Sequence, residues 1–439
     1  MFGYYLDLAW RSLKRSPGLT ALMILSIGVG VALAMTTWTL EHSMSRDPIP
    51  QKSAQIYFPT VDMWGPAARE RAGDTHGNEP PNLLDYATVV ALLRDHRAKY
   101  QSANYWLTTT VIPSRQGEHP FNVSGFGVTS EFFPMLDVPF KYGSGWSDVD
   151  GKARAQVAVI SQRLNAKLFG GRDSVGKTFG IGKRDFRVVG VLGDWHAQPV
   201  YFDFPANGGF MLQPTDLFLP FSTAVAAGLS VNGSSWCLAT PDQPGFAGLV
   251  HSNCGWVSYM AELDTPAAVR NYKDYLQAFA RQRFSWPPNV RLRDLMAWMK
   301  YLGVGAGPLQ ILKFVGVGLL IVCLVDTIGL MLAKFLRKSG EIGVRRALGA
   351  PRHAIYAQFL TEGAVIGVAG GVVGLFLTWL GTLWLQHRFP RAWASAMPHV
   401  NASVLVLTIV VAIVATLLAA LYPTWRAAHV QPAWQIKSN

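Results

Sequence analysis

The amino-acid sequence predicts an α-helical membrane protein with four transmembrane helices and a large inserted α+β domain of two lobes. Half of the 439 residues are hydrophobic and only 15% are charged, whereas about a quarter of the residues of a typical soluble domain are charged. Four long stretches are almost free of charge. Because about 20 apolar residues cross a bilayer as a helix, these stretches predict the four spans.

The predicted membrane segments lie at both ends of the chain. Residues 1–15 have an apolar and a charged face at helical spacing, which predicts an amphipathic helix at the cytoplasmic interface. The predicted spans are residues 16–40, 309–333, 354–386 and 402–425. Ala32 and Ala34 also fit the cleavage pattern of a signal peptide, but the apolar run of the first span is longer than a typical signal core.

Basic residues beside the spans predict the orientation of the chain. They gather before the first span and between the second and third, as the positive-inside rule describes for cytoplasmic flanks. We therefore expect residues 334–353 and the tail 426–439 to be cytoplasmic, like the N-terminus. Residues 41–308 and the short loop 387–401 are expected outside the cytoplasm. This distribution accounts for the net charge of +12 without nucleic acid as a partner.

The external segment shows a mixed pattern of helices and strands. A helix is expected from Asn82 to about Ala98 and another from Pro266 to about Gln282. The alternating or apolar β-type runs are residues 104–113, 157–161, 186–192 and 256–263. The middle is richer in Gly, Pro and turns. We therefore expect a mainly β lobe at about 115–250, inserted into a discontinuous α/β lobe formed by about 41–114 and 251–308.

Two of the three cysteines are candidates for a disulfide. Cys237 and Cys254 fall in the external segment, where an oxidising compartment permits a bridge. The bridge would close a short loop and stabilise the domain by about 3 kcal/mol. The alternative is that both cysteines are buried free thiols. Cys323 lies in the second span and is expected to pack there. No Cys or His cluster has the spacing of a metal site, so no metal is predicted.

One segment matches the phosphate-binding pattern G-x4-G-K-[ST] through Gly171, Gly176, Lys177 and Thr178. A phosphate loop needs a strand before it and a helix after it, because amides at the helix start bind the phosphates. Here a helical stretch comes first and a strand follows. We interpret the match as a glycine-rich turn and predict no nucleotide-binding, cofactor-binding or catalytic residue in this chain.

The spans contain small residues at four-residue spacing and two acidic residues. The small residues predict close helix packing, with a subunit interface as the alternative, and they are Ser26, Gly30, Ala34, Gly363, Gly367 and Gly371. Asp326 and Glu362 are the intramembrane polar positions. A carboxylate at mid-span costs about 2.5–3.5 kcal/mol on insertion scales. Asp326 is expected either to extend towards the cytoplasm near Lys334 or to pair with a basic residue of a dimer partner.

The segment after the second span reads E-I-G-V-R-R-A-L-G-A-P-R from Glu341 and then Q-F-L-T-E-G from Gln358. It resembles the signature of the FtsX-like permeases of ABC transporters. The external segment is similar to MacB-type periplasmic domains in several stretches, among them G-V-T-S-E-F-F from Gly127 and F-R-V-V-G-V from Phe186. The resemblance covers nearly the whole chain. The family favours a neutral Asn near Asp326, so the acid is a departure.

The resemblance implies a dimeric permease in the inner membrane of a Gram-negative cell, built from two copies or two paralogous chains. ATP and Mg would be bound by a partner ATPase subunit, and a periplasmic adaptor protein and an outer-membrane channel are further expected partners. The family mechanism is mechanotransmission, in which ATP-driven closure moves the periplasmic domains. Efflux is the leading expectation. Lipoprotein release and cell-division signalling are alternatives, and a membrane-anchored receptor or structural protein without an ATPase is a lower one.

Residues 339–350 predict a short amphipathic helix that can dock into a cleft of the ATPase. Glu341 and Arg345 stand four residues apart in the favourable order for an ion pair. The expected coupling residues are Glu341, Ile342, Arg345, Arg346, Leu348 and Gly349. A basic loop that only fixes the topology is the alternative interpretation.

Overall fold

The computed structural model describes residues 2–45, 47–71, 78–114, 117–195, 197, 200–207, 215–304, 308–337, 340, 344, 348–349, 351–388 and 402–428. These residues divide into two compact units. One is built of helices from both ends of the chain. The other lies within residues 47–304 and contains the strands, so the division follows the one predicted between membrane segments and an inserted domain.

The helices are numbered in chain order. They are α1 (Phe2–Arg15), α2 (Pro17–Ser45), α3 (Pro66–Arg71), α4 (Tyr86–Asp95), α5 (Phe132–Met135), α6 (Asp148–Lys152), α7 (Gln162–Phe169), α8 (Phe204–Asn207), α9 (Phe221–Ala226), α10 (Gly245–His251), α11 (Pro266–Arg283), α12 (Leu295–Tyr301), α13 (Pro308–Arg337), α14 (Arg352–Arg388) and α15 (Ala402–Ala428). A 3₁₀ turn, Tyr201–Asp203, precedes α8.

Four of these helices are long and apolar enough to cross a membrane, as the sequence predicts. The segments with sufficient length and apolar composition are Pro17–Trp38 of α2, Ile311–Arg337 of α13, His353–Gly381 of α14 and Val406–Trp425 of α15. The helix α1 precedes them and is amphipathic. Its Ala9 and Leu13 are buried, and the helix contacts α14. At these positions the apolar face therefore packs on protein rather than on lipid.

The second unit is organised by a ten-stranded mixed sheet. Its strands are β1 (Ile56–Val61), β2 (Tyr100–Ile112), β3 (Phe121–Val128), β4 (Phe140–Gly143), β5 (Val157–Ile160), β6 (Thr178–Ile181), β7 (Arg184–Leu192), β8 (Thr215–Pro220), β9 (Ser258–Glu262) and β10 (Val290–Asp294). The order is β10-β1-β9-β2-β3-β8-β5-β7-β4, with β6 paired to β2 and β7. The pairs β3–β8 and β5–β7 are parallel.

Two hydrophobic clusters cover the sheet, one on each face. Successive side chains of a strand point to opposite faces, and β2 follows this rule: Tyr105 and Leu107 join the first cluster, whereas Trp106 packs against the second. Trp256 lies in the first cluster and Trp298 in the second, and both are at most 1% exposed. The chain thus builds a two-sided core around a single sheet.

The two lobes predicted from the sequence share this sheet. Strands β1, β2, β9 and β10 come from the outer segments, and β3 to β8 come from residues 115–250. Where a mainly β lobe was expected, the described residues of 115–250 form six strands and six short helices. Clusters of Gly and Pro mark helix ends as well as hairpins, which is why the pattern favoured strands too strongly.

The first helix predicted in this domain is shorter than expected. It spans Tyr86–Asp95 rather than Asn82 to Ala98, because Asp85 caps it by accepting a hydrogen bond from the Thr88 N–H, and His96 takes a left-handed conformation at its end. Leu84 instead pairs with Val257 as a β-bridge. By contrast, α11 begins at the predicted residue Pro266 and ends one residue later than predicted.

A disulfide joins Cys237 and Cys254 in the structure. Beside it, Trp236 and Gly255 exchange two backbone hydrogen bonds of 2.9 Å, and the Cys254 side chain is fully buried. The bond therefore attaches an otherwise exposed loop to the first hydrophobic cluster. Cys323 is buried in α13, as the sequence predicts.

We expect one reactive thiol in the denatured, non-reduced protein and three after reduction, because two of the three sulfurs are bonded to each other. Replacing both Cys237 and Cys254 by Ser should lower the free energy of unfolding of the domain by about 3 kcal/mol, since the open loop gains conformational entropy in the unfolded chain. Thiol titration and thermal unfolding measure the two effects. Three reactive thiols before reduction would contradict the bond.

Candidate functional site

A buried polar cluster joins three helices of the helical unit. The ammonium group of Lys334 in α13 forms an ion pair with the carboxylate of Glu362 in α14, and both side chains are only 2% exposed. The hydroxyl group of Ser12 in α1 donates to the same carboxylate and lies 3.0 and 2.9 Å from its two oxygens. Glu362 was predicted as an intramembrane polar residue, and these two partners explain how it is accommodated.

Apolar side chains surround the ion pair. Leu13 of α1, Met331 and Phe335 of α13, and Ile355 and Phe359 of α14 belong to one buried cluster. The rings of Phe335 and Phe359 pack with centroids 4.1 Å apart. In such surroundings an isolated charge is strongly unfavourable, so each of the two charges depends on the other.

The cluster lies close to the ends of α13 and α14 that adjoin the predicted coupling segment. Lys334 lies three residues before the end of α13 at Arg337, and Glu362 lies ten residues after the start of α14 at Arg352. The segment between the two helices carries the predicted coupling residues. The ion pair therefore fastens together the two helices that bound this segment, and Ser12 attaches α1 to the same point.

The described residues of that segment expose apolar side chains. Val344 is 61% exposed and Leu348 is 83% exposed, and the Leu348 N–H donates to the Val344 carbonyl oxygen at 3.0 Å, the spacing of a helical turn. Gly349 follows with φ of +94°, a conformation that favours glycine and commonly ends a helix. Glu341, Ile342, Arg345 and Arg346 lie outside the described residues.

The sequence prediction of the site did not include three residues of this region, which are Val344, Lys334 and Ser12. Val344 could have been found by its spacing of four residues before Leu348. Lys334 was assigned only to the basic flank, and the structure pairs it with Glu362. Ser12 carried no signal of its own, because a hydroxyl group in an amphipathic helix is compatible with any partner.

The small residues predicted for helix packing make contacts within the chain. A methyl group added at Gly30 of α2 would lie 3.1 Å from the Cβ of Cys323 in α13. On α14, methyl groups at Gly363, Gly367 and Gly371 would meet α15, the closest approach being to Thr416 Oγ1. Ala34 of the α2 stripe is buried, and Ser26 is half-buried. These glycines therefore let the helices of one chain pack closely.

Asp326 is exposed on α13. Lys334, eight residues further along, lies on the buried face of the same helix and is paired with Glu362. The two expectations for Asp326, extension towards the cytoplasm or pairing with a basic residue of a dimer partner, both stay predictions.

The phosphate-loop match is a turn between a helix and a strand, as the sequence predicts. Helix α7 precedes Gly171 and strand β6 begins at Thr178. The Gly176 N–H donates to the Val188 carbonyl oxygen, and the Lys177 carbonyl accepts from the Val188 N–H. These groups hold the turn against β7 and do not form a helix start. Among the described residues, no group of three or more His, Cys, Asp or Glu is placed to hold a metal ion.

Two protein-family models match the chain. The MacB-like periplasmic core domain matches residues 20–278, and the FtsX-like permease C-terminal domain matches residues 313–432. The first covers the segment that contains most of the sheet. The second covers α13 to α15, the helices that hold Lys334, Glu362 and the segment between them.

Curated relatives carry the name macrolide export ATP-binding/permease protein MacB. The protein from Neisseria meningitidis serogroup B is 26% identical over 372 residues, which are 83% of this chain and 51% of the relative. The protein from Escherichia coli is 23% identical over 397 residues, 89% of this chain and 54% of the relative. The chain thus spans about half the length of these relatives.

Two of the solved structures that the comparison finds are described as a periplasmic region and an extracellular domain. The periplasmic region of MacB from Actinobacillus actinomycetemcomitans is 14% identical, covers 58% of this chain and 95% of its own, and has a TM-score of 0.37. The extracellular domain of the noncanonic ABC-type transporter YknZ from Gram-positive bacteria is 13% identical, covers 54% of this chain and 99% of its own, and has a TM-score of 0.34.

The buried ion pair predicts a non-additive mutation cycle. Lys334→Met or Glu362→Leu alone should lower the free energy of unfolding by about 3–5 kcal/mol, because each leaves an unpaired buried charge. The double variant should be more stable than either single variant, since no charge remains. Ser12→Ala, which removes one hydrogen bond, should cost about 1 kcal/mol or somewhat more. Unfolding in detergent measures all four proteins. Losses that simply add in the double variant would refute the coupling.

Proposed function

Because the chain belongs to the family of FtsX-like permeases with a MacB-like periplasmic core domain, we propose that it is the permease subunit of an ABC transporter and that a separate ATPase subunit drives it. The observation that carries the proposal is the exposed pair Val344 and Leu348 in the segment between α13 and α14. Exposed apolar side chains beside basic residues form a surface that a partner protein can cover.

The buried ion pair offers a way for a displacement of that segment to be transmitted to α13 and α14. Lys334 and Glu362 fasten α13 to α14, so a force applied to the residues between them displaces both helices together. The core domain is inserted between α2 and α13, and these two helices are its covalent connections to the helical unit. Closure of two ATPase subunits would thus reach the core domain through α13.

ATP and Mg would be bound by the partner ATPase. The turn at Gly171 to Thr178 has its backbone groups engaged with β7, which supports the absence of a nucleotide site there. The permease then acts by mechanotransmission: it couples hydrolysis in its partner to a conformational change of its periplasmic domain, and cargo need not cross the bilayer through it.

Efflux through a tripartite assembly is the specific role that we propose. The relatives are named as macrolide exporters, and the core domain would meet a periplasmic adaptor protein that leads to an outer-membrane channel. Cells without the chain should then accumulate an exported drug such as a macrolide, measured by uptake of labelled compound. Accumulation of lipoproteins in the inner membrane with normal drug levels would instead favour lipoprotein release.

The proposed topology predicts which exposed positions react from outside. Val149 of α6 is 74% exposed and Leu348 is 83% exposed. In spheroplasts, a membrane-impermeant maleimide should label Val149→Cys and should label Leu348→Cys only after the membrane is disrupted, because the two positions lie on opposite sides. Labelling of both, or protection of both, in sealed spheroplasts would contradict the proposed orientation.

The exposed residues Val344 and Leu348 form the proposed coupling surface. Substitutions there should weaken binding of the ATPase subunit. Replacing Val344 and Leu348 together by Asp should strongly reduce the ATPase subunit that co-purifies with the tagged chain from its native membrane, because two buried apolar contacts would become charged. The amount of ATPase is measured by mass spectrometry and by ATP hydrolysis of the complex.

The matched control is Val149→Asp, which places the same charge at a similarly exposed apolar position of the core domain. It should retain the ATPase. Full retention by the Val344 and Leu348 variant would contradict the coupling surface. ATP hydrolysis by the purified chain alone would contradict the assignment of ATP to a partner.

A further inference from the structure

The core domain begins with a compact turn. Residues 47–55 lie between α2 and β1, and below they are called the entry turn. The Lys52 and Ser53 N–H groups both donate to the Ile49 carbonyl oxygen at 2.9 Å. The Ile49 side chain is 4% exposed and belongs to the second hydrophobic cluster. The entry turn is therefore folded and packed on the core rather than extended.

The ammonium group of Lys52 lies among four oxygens. It donates to the carbonyl oxygens of Pro134 at 2.8 Å and Met135 at 3.2 Å. It also lies 2.8 Å from a carboxylate oxygen of Asp137 and 3.5 Å from one of Glu262. Pro134 and Met135 are the last residues of α5, and Glu262 is the last residue of β9. Lys52 thus joins the entry turn to two other elements of the core domain.

Both carboxylates beside Lys52 are fixed by their surroundings. Asp137 has a φ of +48°, which residues other than glycine rarely adopt. Glu262 is fully buried and also lies 2.8 Å from the Lys99 ammonium group. Exposed ion pairs contribute little to stability, whereas a buried carboxylate depends on its cations. Because the Lys52 side chain is only 16% exposed, its contacts are of the second kind.

The length of the entry turn shows what Lys52 prevents. The nine residues 47–55 could extend to about 30 Å, so an unanchored turn would straighten when α2 is displaced. The apolar contact of Ile49 can shift at little cost. The Lys52 ammonium group cannot leave its oxygens without leaving buried charge unpaired. Lys52 is therefore the contact that resists straightening of the turn.

We propose that Lys52 is a positioning residue that keeps the entry turn folded, so that a displacement of α2 moves the core domain. The inference rests on the proposed function, which requires movement to pass from the helical unit to the core domain. It adds a route through α2 to the route through α13. Without the ammonium group of Lys52, the complex hydrolyses ATP while its core domain no longer follows the helices.

Fluorescence energy transfer tests the proposal in the complete complex. In a Cys323→Ser background, donor and acceptor dyes are attached to Val149→Cys of the core domain and Arg11→Cys of α1. Val149 is 74% exposed and the Arg11 side chain is 72% exposed. The labelled chain is purified with its ATPase subunit, and the change in energy transfer on addition of ATP and Mg is measured together with ATP hydrolysis.

Lys52→Met should reduce the ATP-dependent change about five-fold or more and leave hydrolysis within about two-fold, because the released turn takes up the displacement. Lys52→Gln, which keeps amide donors but no charge, should show the same loss and replaces Lys52→Met if that variant does not assemble with the ATPase. Lys52→Arg, which keeps a positive charge, should retain most of the change.

The matched control is Lys99→Met, which removes the other ammonium group beside Glu262 but lies outside the entry turn. It should retain the ATP-dependent change. Equal changes in the Lys52→Met and Lys99→Met complexes, whether both are retained or both are lost, would overturn the role of Lys52 and leave the proposed function standing. A complex with Lys52 intact that shows no ATP-dependent change would refute the proposed function and this inference together.

Discussion

The structure of the helical unit depends on one buried ion pair. Lys334 and Glu362 lie among apolar side chains, where neither charge is tolerable without the other. The pair therefore fixes the contact between α13 and α14 at a definite height, and Ser12 adds α1 to the same point. An apolar contact can slide by a few ångströms at little cost. A buried charge pair cannot, because either charge would be left without its partner.

Close packing of the remaining helices follows from glycine. Gly363, Gly367 and Gly371 let α15 approach α14, and Gly30 lets α13 approach α2. Because these stripes are used within the chain, they are not available as a subunit interface. Of the four candidate spans, the one in α13 is the least buried, and Asp326 is exposed on it.

The inserted domain has a different basis for its stability. One sheet runs through both predicted lobes, and each of its faces carries a hydrophobic cluster. The backbone hydrogen bonds between β2 and β3 cross the expected lobe boundary, so the lobes cannot separate without breaking them. The disulfide between Cys237 and Cys254 holds a peripheral loop to this core. The single sheet therefore makes both predicted lobes parts of one folded domain.

The sequence by itself determined the four spans, the amphipathic α1, the inserted mixed domain and the interpretation of Gly171 to Thr178 as a turn, because apolar length and local spacing decide these features. The sequence did not determine the partner of Glu362 or the neighbouring helices against which the glycines pack. Lys334 and Glu362 are 28 residues apart, and Ser12 and Glu362 are 350 apart. Such contacts depend on how helices pack, which local patterns do not encode, so only the tertiary structure decided them.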